Sequence, residues 1–313
     1  MSLATPSATC ICTIVTESHL DYALALFLSY RRFEAEIPLY ILVVDQDEVQ
    51  ASVWEGVHFV ERSVILENTV AQRMQTRYVD EPDYLRWALK PVLMEYLLEE
   101  KGYEQVVFAD CDLCFYQKPD PIWQHLKGAN MLLSPHWRSA KPEIDQANFQ
   151  LNFTDGMFNG GFVAASKSGI VALRWWQNAC AHHMGREREL GYYVDQRYLD
   201  LLPAHFDNIA ILRHRGCNVA NWNLSENHRV AKSNGEVLIQ DQWPIVFIHY
   251  SGSTVRGILK EQDPLLRPYF DQWKAFLDQA NEQLDRTPRQ FQLPQAETHL
   301  GKRIINKIKS IGS

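Results

Sequence analysis

Apolar and polar positions over the first third of the chain alternate between strand-like and helix-like patterns. CICTIV at 10–15, PLYILVVDQD at 38–47 and YEQVVFADCDLCF at 103–115 are short apolar runs bounded by polar residues, and each predicts a buried strand. The second and third runs both lead into acidic residues. Any ligand site at the ends of these strands would therefore be rich in carboxylates.

The segments between these runs carry apolar residues at helical spacing. SHLDYALALFLSYRR at 18–32 predicts a helix with Ser18 as its N-cap. YLRWALKPVLMEYLLEE at 84–100 predicts a second helix, which Pro91 should kink or restart because proline lacks an amide proton. Strands that alternate with helices are typical of an α/β fold with a mainly parallel sheet.

The second half of the chain is less regular. The polar and aromatic stretch at 134–161 is predicted to be a long loop, and long loops in compact domains are often functional. Later patterns predict two helices, at 167–184 and 193–202, and one strand, within PIVFIHYSGS at 244–253, that ends in a His/Gly loop.

Composition narrows the class of protein. The 313 residues allow one large domain or two small ones, and a formal net charge of −7 argues against a general nucleic-acid binder, which needs a basic face. The N-terminus lacks the charged region of a secretory signal, and no run reaches the roughly 20 apolar residues of a membrane span. Six scattered cysteines fit reduced thiols. We therefore expect a cytoplasmic protein.

FADCDLCF at 108–115 combines two possible kinds of site. In a strand, side chains alternate between faces, so Asp110 and Asp112 point the same way. Cys111 and Cys114 would face opposite sides, and no second C-x-x-C completes a zinc site, which disfavours a thiol site. Paired carboxylates at the carboxyl end of a strand suit Mg²⁺ or Mn²⁺ together with substrate phosphates. Alone, however, D-x-D is a common solvated turn.

Two later motifs add candidate residues for a site at these strand ends. In FNGGFVAAS, Asn159 precedes Gly160 and Gly161, and glycines permit close backbone approach to a ligand, although a simple tight turn has the same signature. Asp195 and Gln196 open a predicted helix, where a carboxylate also interacts favourably with the helix dipole.

His249 lies at the end of the late strand, shortly before Gly252. A lone histidine is more often a structural group. Beside a D-x-D on a neighbouring strand end it becomes a candidate third ligand, because imidazole also binds Mn²⁺.

The order A-D-C-D, F-N-G-G-F, D-Q and H-Y-S-G resembles the GT-A nucleotide-sugar glycosyltransferases. It is most similar to the family 8 group, which includes glycogenin and bacterial lipopolysaccharide galactosyl- and glucosyltransferases. The resemblance covers roughly residues 10 to 260. It implies a Rossmann-like, mainly parallel α/β sheet flanked by helices, with a C-terminal helical tail. It also implies metal-dependent transfer of a sugar from a nucleoside diphosphate sugar, a UDP-sugar in that group, to a glycan or lipid-linked acceptor.

The resemblance also implies a role for each motif. Asp110, Asp112 and His249 would ligate Mn²⁺ (or Mg²⁺) on the donor diphosphate, and Asp195 and Gln196 would line the reacting face of the sugar. The residues implied in donor binding are Thr16, His19, Asp45, Arg86, Lys90, Asp110, Asn159, Gly160, Gly161, Gly252 and Arg256.

The chain departs from the family pattern at two positions. His19 stands where the family usually has a tyrosine that stacks on uracil, so another base is possible. The family's K-P-W after H-x-x-G is replaced by STVRGILK, so Arg256 or Lys260 must substitute in binding the diphosphate, or this contact is absent. HRGCNVANWNLSEN at 214–227 is more similar to the bacterial branch, which favours a surface-polysaccharide or glycolipid acceptor.

The stereochemical course has two alternatives. An inverting transferase needs a carboxylate base near the acceptor hydroxyl, for which Asp195 is the first candidate and Asp155 the second. The resemblance implies a retaining reaction instead, with Gln196 beneath the anomeric carbon.

Two other functions use similar motifs. A phosphatase of the haloacid-dehalogenase type also places D-x-D at a strand end, but on an early strand followed by a threonine, whereas here more than one hundred residues precede the motif. A non-catalytic nucleotide-sugar-binding module would carry the same binding residues without turnover.

We expect residues 1–280 to form the GT-A domain and residues 281–313 to form a polar linker and a basic tail. Leu300, Ile304, Ile308 and Ile311 recur at helical spacing among four positive charges. This pattern predicts peripheral contact of residues 299–313 with an anionic membrane surface, the alternative being a docked or disordered terminus.

Overall fold

The structure is a computed structural model that describes residues 8–49, 51 and 53–293. The predicted tail at 299–313 lies outside these residues. The strands are β1 Thr9–Val15, β2 Leu39–Val43, β3 Val57–Val60, β4 Gln105–Ala109, β5 Leu113–Phe115, β6 Met131–Pro135, β7 Phe158–Ser166, β8 Ile209–Ile211, β9 Arg229–Ala231, β10 Val237–Ile239, β11 Trp243–Pro244 and β12 Phe247–His249. The helices are α1 Leu20–Arg31, α2 Arg62–Ile65, α3 Thr69–Arg77, α4 Pro82–Ala88, α5 Lys90–Glu99, α6 Asp120–Leu126, α7 Gln146–Thr154, α8 Ile170–His182, α9 Leu202–His205, α10 Gly252–Leu259 and α11 Arg267–Gln283.

A seven-stranded sheet runs in the order β3-β2-β1-β4-β7-β6-β8. All its pairs are parallel except those that β7 makes with β4 and β6. Because β7 is antiparallel to β4, the first residues of β7 lie beside the carboxyl end of β4. This reversal places the F-N-G-G motif next to the D-C-D motif.

The central strands are covered on both faces, as their continuous apolar runs predict. In β1, Ile11 and Val15 point into a core shared with α1 and α11, while Cys10, Cys12 and Ile14 point into a second core shared with α3, α5 and α8. The predicted mainly parallel α/β sheet flanked by helices is therefore confirmed.

A separate two-stranded sheet pairs β5 with β12 in antiparallel register, with Leu113 opposite His249. The amide of Tyr250 also donates a 2.8 Å hydrogen bond to the carbonyl of Asp112. These contacts bring the late H-Y-S-G motif to the D-C-D motif across more than one hundred residues of sequence.

Several local predictions are corrected. Residues 134–161 are not one loop: they contain the end of β6, helix α7 and the start of β7. Ser18 does not cap α1, because residues 17–19 form a 3₁₀ turn. The Ser18 hydroxyl instead hydrogen-bonds to Thr16 Oγ1 at 3.1 Å and to His19 Nδ1 at 3.0 Å. The D-Q helix is a 3₁₀ helix, Gln196–Leu201. The predicted restart at Pro91 is confirmed by the break between α4 and α5.

Residues 281–293, treated above as the start of a linker, pack against α1 and its N-terminal turn. Asn281 donates a 3.2 Å hydrogen bond to Asp21, a fully buried carboxylate, and Arg289 forms an ion pair with the same carboxylate. Arg286 pairs with Glu17. Within the described part of the chain, no helix is long and apolar enough to cross a membrane.

We expect Ser29→Ala to lower the free energy of unfolding by about 1–3 kcal/mol. The fully buried Ser29 hydroxyl accepts a 3.0 Å hydrogen bond from the amide of Phe115 and donates one of 2.7 Å to Leu26, so it joins α1 to β5. Its loss leaves the Phe115 amide buried without a partner. Urea denaturation measures the change, and the exposed Ser233→Ala is the control, expected within about 0.5 kcal/mol of wild type. Equal effects of the two substitutions would contradict this assignment.

Candidate active site

The D-C-D motif forms a turn between two strands. β4 ends at Ala109, and the amide of Leu113 closes the turn by donating to the carbonyl of Asp110 at 3.1 Å. The two carboxylates do converge, as the sequence predicts. The reason is the turn rather than strand alternation, because Asp110 and Asp112 lie outside β4 and β5.

His249 completes a cluster with the two aspartates. One ligand atom from each of Asp110, Asp112 and His249 lies within 4.8 Å of the others. His249 Nε2 is 3.1 Å from Asp112 Oδ1, and its Nδ1 donates to Asn218 Oδ1 at 3.2 Å. Asn218 therefore fixes the ring so that Nε2 faces the carboxylates.

Charge compensates for burial in this cluster. Burial acts to raise the pKa of Asp112, but His249 and Arg86 outweigh it and hold the pKa of this carboxyl below its ordinary value. Burial acts to lower the pKa of His249, and the carboxylates of Asp112 and Asp110 outweigh it and raise that pKa. The imidazole and the carboxylates thus favour each other's charged forms.

The cluster has the properties of a divalent-cation site. Asp110 Oδ1 is buried and accepts no hydrogen bond from a described residue, although the Lys90 ammonium lies 3.5 Å from it. A Cβ on Gly161 would lie 2.6 Å from Asp110 Oδ2 and 2.7 Å from His249 Cε1, so only glycine leaves the space beside these ligands free. Two carboxylates and an imidazole are suitable ligands for Mn²⁺. The residues present therefore fit the metal that the resemblance implies.

Lys90 connects this cluster to the D-Q motif. Its ammonium is buried, lies 3.5 Å from Asp110 and 3.1 Å from Asp195, and donates to the carbonyl of Gly160 at 2.9 Å. Burial acts to lower the pKa of Lys90, and the two carboxylates outweigh it and raise that pKa. One ammonium therefore balances carboxylates from both motifs.

Asn159 is held by two hydrogen bonds that fix its amide. Its Nδ2 donates to His136 Nε2 at 3.1 Å, and its Oδ1 accepts from the amide of Gly161 at 3.0 Å. His136 can accept because its Nδ1 donates to the carbonyl of Gly156 at 3.1 Å. Burial, reinforced by Arg138, lowers the pKa of His136 well below its ordinary value, so the ring stays neutral.

Both carboxylates considered as bases are already paired with cations. Asp195 is buried against Lys90. Asp155 is buried between Arg188 at 2.8 Å and Arg138 at 3.6 Å. Gln196 is nearly buried, and its Nε2 donates to the carbonyl of Asp155 at 2.8 Å.

Two cavities meet at Asp110 and Trp87. The first, of about 440 Å³, is lined among others by His19, Arg86, Asp112, Gly252 and Arg256. The second, of about 680 Å³, is lined among others by Lys90, Asn159, Gly160, Gly161, Asp195, Gln196 and His249. Because Asp112 borders the first, His249 the second and Asp110 both, the cluster marks the boundary between them.

Thr16 and Asp45 line neither cavity. Thr16 Oγ1 lies 3.1 Å from His19 Nδ1, and Asp45 accepts a 2.8 Å hydrogen bond from the amide of Glu17. Both residues therefore support the turn that presents His19 to the first cavity.

The C-x-x-C is not a paired site. Cys111 and Cys114 are free and buried, and burial raises the pKa of both thiols. Of the two kinds of site that the motif allowed, the carboxylate site is the one whose groups converge.

Helix α7 forms part of the second cavity without being packed into the core. None of its side chains is buried. It is held by polar contacts: Asn148 accepts from the amide of Ser139 at 2.7 Å and donates to the carbonyl of Trp222 at 2.9 Å. Asp145 caps its first turn at 3.0 Å.

Asn218, His136 and Trp222 belong to the site without any motif in the sequence that marks them. The ring of Trp222 packs edge-on against both His249 and His136, at 5.0 and 5.6 Å between centroids. Asn218 adopts a positive φ of 58°, which asparagine tolerates better than most residues. The 214–227 segment contains Asn218 and Trp222 but carries no sign of these contacts, because they depend on tertiary pairing.

We expect Gly161→Ala to weaken Mn²⁺ binding at least tenfold, about 1.4 kcal/mol, because the methyl group would displace Asp110 or His249. Gly257→Ala is the matched control, since its Cβ would meet nothing closer than 3.7 Å. Isothermal titration calorimetry with Mn²⁺ measures both variants. Wild-type affinity in Gly161→Ala would exclude the site beside this glycine.

Comparisons with known proteins support the fold. The chain matches no protein-family model. Two uncharacterized proteins of Bacillus subtilis (strain 168) are similar in sequence. YfnF is 27% identical over 259 residues, 79% of this chain and 82% of YfnF. YfnD is 29% identical over 255 residues, 78% of this chain and 77% of YfnD.

The structure is also similar to that of the galactosyltransferase LgtC, solved in complex with donor and acceptor sugar analogs. The TM-score is 0.52 at 13% sequence identity, and the match covers 91% of this chain and 98% of the LgtC chain. The likeness extends over nearly the whole of both chains. The protein therefore has the GT-A fold that the order of its motifs indicates.

Proposed function

We propose that this chain is a metal-dependent glycosyltransferase. It moves a hexosyl group from a nucleoside diphosphate sugar, a UDP-sugar in the first instance, to a glycan or lipid-linked acceptor. The observation that carries the proposal is the Asp110, Asp112 and His249 cluster at the boundary of two cavities. A donor that spans this boundary has its diphosphate at the cluster, its nucleoside in the first cavity and its sugar in the second.

The charges along the boundary suit such a donor. Arg86 and Arg256 line the first cavity together with Asp112, which places positive charge beside a bound diphosphate. The STVRGILK segment thus offers Arg256 as the substitute for the family's lysine. Mn²⁺ or Mg²⁺, when bound by the cluster, supplies Lewis-acid stabilisation of the leaving diphosphate.

The second cavity suits the sugar and the acceptor. Gly160 and Gly161 leave room for a ring beside Asp195 and Gln196, since a Cβ on Gly160 would lie 2.9 Å from Asp195 Oδ2. Lys90 holds Asp195 in place by its ion pair. Such fixed polar groups position the donor and acceptor and spare reorganisation during the reaction.

A retaining reaction is the course that we propose. An inverting reaction needs a carboxylate free to take the acceptor proton. Asp195 is paired with Lys90, and Asp155 is paired with Arg138 and Arg188. Gln196 has a neutral amide that is held by Asp155 and lines the same cavity. This arrangement favours Gln196 as the group that faces the anomeric carbon.

We expect the wild-type protein to bind one of UDP, GDP, CDP, ADP or dTDP more tightly with Mn²⁺ than without it, and to hydrolyse the matching nucleotide sugar slowly. Asp110→Asn and Asp112→Asn should each weaken Mn²⁺-dependent binding at least tenfold, about 1.4 kcal/mol. Asp207→Asn, an exposed aspartate outside both cavities, is the control. Calorimetry measures binding. Binding without turnover by the wild type would favour the non-catalytic module, and no binding at all would refute the proposal.

We expect the first-formed glycoside to keep the anomeric configuration of the donor, as determined by proton NMR. Gln196→Ala should lower kcat more than it weakens donor binding, because its amide faces the reacting sugar while the diphosphate contacts remain. An inverted product would identify Asp195 as the general base. In that case Asp195→Asn should abolish transfer while Gln196→Ala keeps most of it.

A further inference from the structure

The first cavity has a wall that the motifs do not supply. Gln290, Phe291 and Gln292 line it together with the D-C-D turn and α10, and they belong to the segment that the sequence predicts to be a linker. We call residues 285–293 the strap. Asp110, Asp112, Arg86 and residues 290–292 of the strap border one cavity, so a ligand that fills it would contact both the charged groups and the strap.

Ionic contacts hold the strap in place. Arg289 donates to both oxygens of Asp21, one of these bonds being 2.8 Å, and to the carbonyl of Ser18. Asp21 is fully buried, so Arg289 compensates a charge that water cannot reach. The guanidinium of Arg289 also lies 4.6 Å from the centre of the Tyr22 ring. The strap is therefore fixed to the first turn of α1, beside His19.

An aromatic cluster lies beneath this part of the cavity. The fully buried ring of Trp273 contacts Tyr22 at 5.5 Å, Tyr250 at 4.2 Å and Phe291 at 5.4 Å between centroids. Tyr22, Tyr250 and Phe291 all line the cavity. Three rings supported by one tryptophan give this part of the cavity an apolar, rigid lining.

The strap also supplies hydrogen-bonding groups at the cavity. The side chains of Gln290 and Gln292 are exposed, and neither hydrogen-bonds to another residue of the described chain. An amide offers both donors and acceptors. A nucleobase is a flat ring with an apolar face and donors and acceptors on its edges, so rings together with free amides complement it.

We propose that Gln290, Phe291 and Gln292 form the wall that contacts the nucleoside of the donor, with the ring of Phe291 against the base and the two amides at its edge or at the ribose. This inference rests on the proposed function. It assigns binding of the nucleoside to the strap and binding of the diphosphate to the cluster and the arginines. The segment 285–293 thereby belongs to the donor site rather than to a linker.

The test separates the nucleoside from the diphosphate. Calorimetry with Mn²⁺ is carried out with inorganic pyrophosphate and with whichever of the five nucleoside diphosphates binds the wild type most tightly. We expect Phe291→Ala and the double variant Gln290→Ala/Gln292→Ala to weaken nucleoside diphosphate binding about tenfold, and to leave pyrophosphate binding within about twofold. Leu293→Ala, an exposed neighbour that does not line the cavity, is the matched control and should bind both ligands as the wild type does.

A truncation provides the second measurement. Removal of residues 294–313 deletes no residue of the strap, so we expect nucleoside diphosphate binding to stay unchanged. Arg289→Ala removes the contact with Asp21 that holds the strap and should weaken this binding. Melting temperatures identify any variant that fails to fold. Gln290 and Gln292 are exposed, so we expect the double variant to fold as the wild type does.

The outcomes distinguish the two proposals. If the wild type binds neither pyrophosphate nor any nucleoside diphosphate, the proposed function fails and the role of the strap fails with it. If the wild type binds nucleoside diphosphate and the strap variants bind it equally well, the role of the strap alone is wrong. A parallel loss of pyrophosphate binding in the strap variants would also overturn it, since the strap would then act on the diphosphate site.

Discussion

The candidate site depends on the antiparallel pairing of β5 with β12. This short pairing sets Leu113 opposite His249, and it brings a histidine from late in the chain to the two aspartates of the D-C-D turn. On the other side of the turn, β7 runs antiparallel to β4, and the amide of Asp110 donates to the carbonyl of Gly161 at 2.7 Å. The turn is thus fixed from both sides by backbone hydrogen bonds, and its carboxylates need no strained conformation of their own.

Buried charge is the second constraint on the site. Lys90 and Asp195 are almost wholly buried and form an ion pair. Removing either side chain would leave the charge of the other buried without a partner, which is strongly destabilising. The arrangement therefore holds only when α5, β4 and the D-Q turn are all in place. Pro91 contributes to this, because the break that precedes it starts α5 at Lys90 and sets the ammonium at the carboxyl end of β4.

Much of this architecture could be predicted from the sequence, because periodicity reports burial. β1, β2 and β4 are continuous apolar runs, and the α4–α5 break follows from the chemistry of Pro91. The convergence of Asp110, Asp112 and His249 was expected from their places at strand ends. Asn218 and His136 cannot be identified from the sequence, since each acts through a hydrogen bond to a residue distant in sequence. The sequence of α7 predicts a loop because the helix buries no side chain and so has no apolar face. The strap has the polar composition of a linker, and only tertiary contacts fix it to Asp21.

Helix α7 lines the second cavity but buries none of its side chains, so this wall of the cavity is less firmly packed than the sheet. The proposed donor contacts lie at the ends of central strands, next to buried groups such as Lys90 and Asp195. The helix beside the second cavity is held by a few amide and backbone hydrogen bonds, and segments with little buried apolar surface open locally at low cost. Substitutions on that helix are therefore expected to change the wall of the second cavity while the sheet and the Asp110, Asp112 and His249 cluster stay as they are. The scaffold separates a part that must remain constant from a part that is free to diversify.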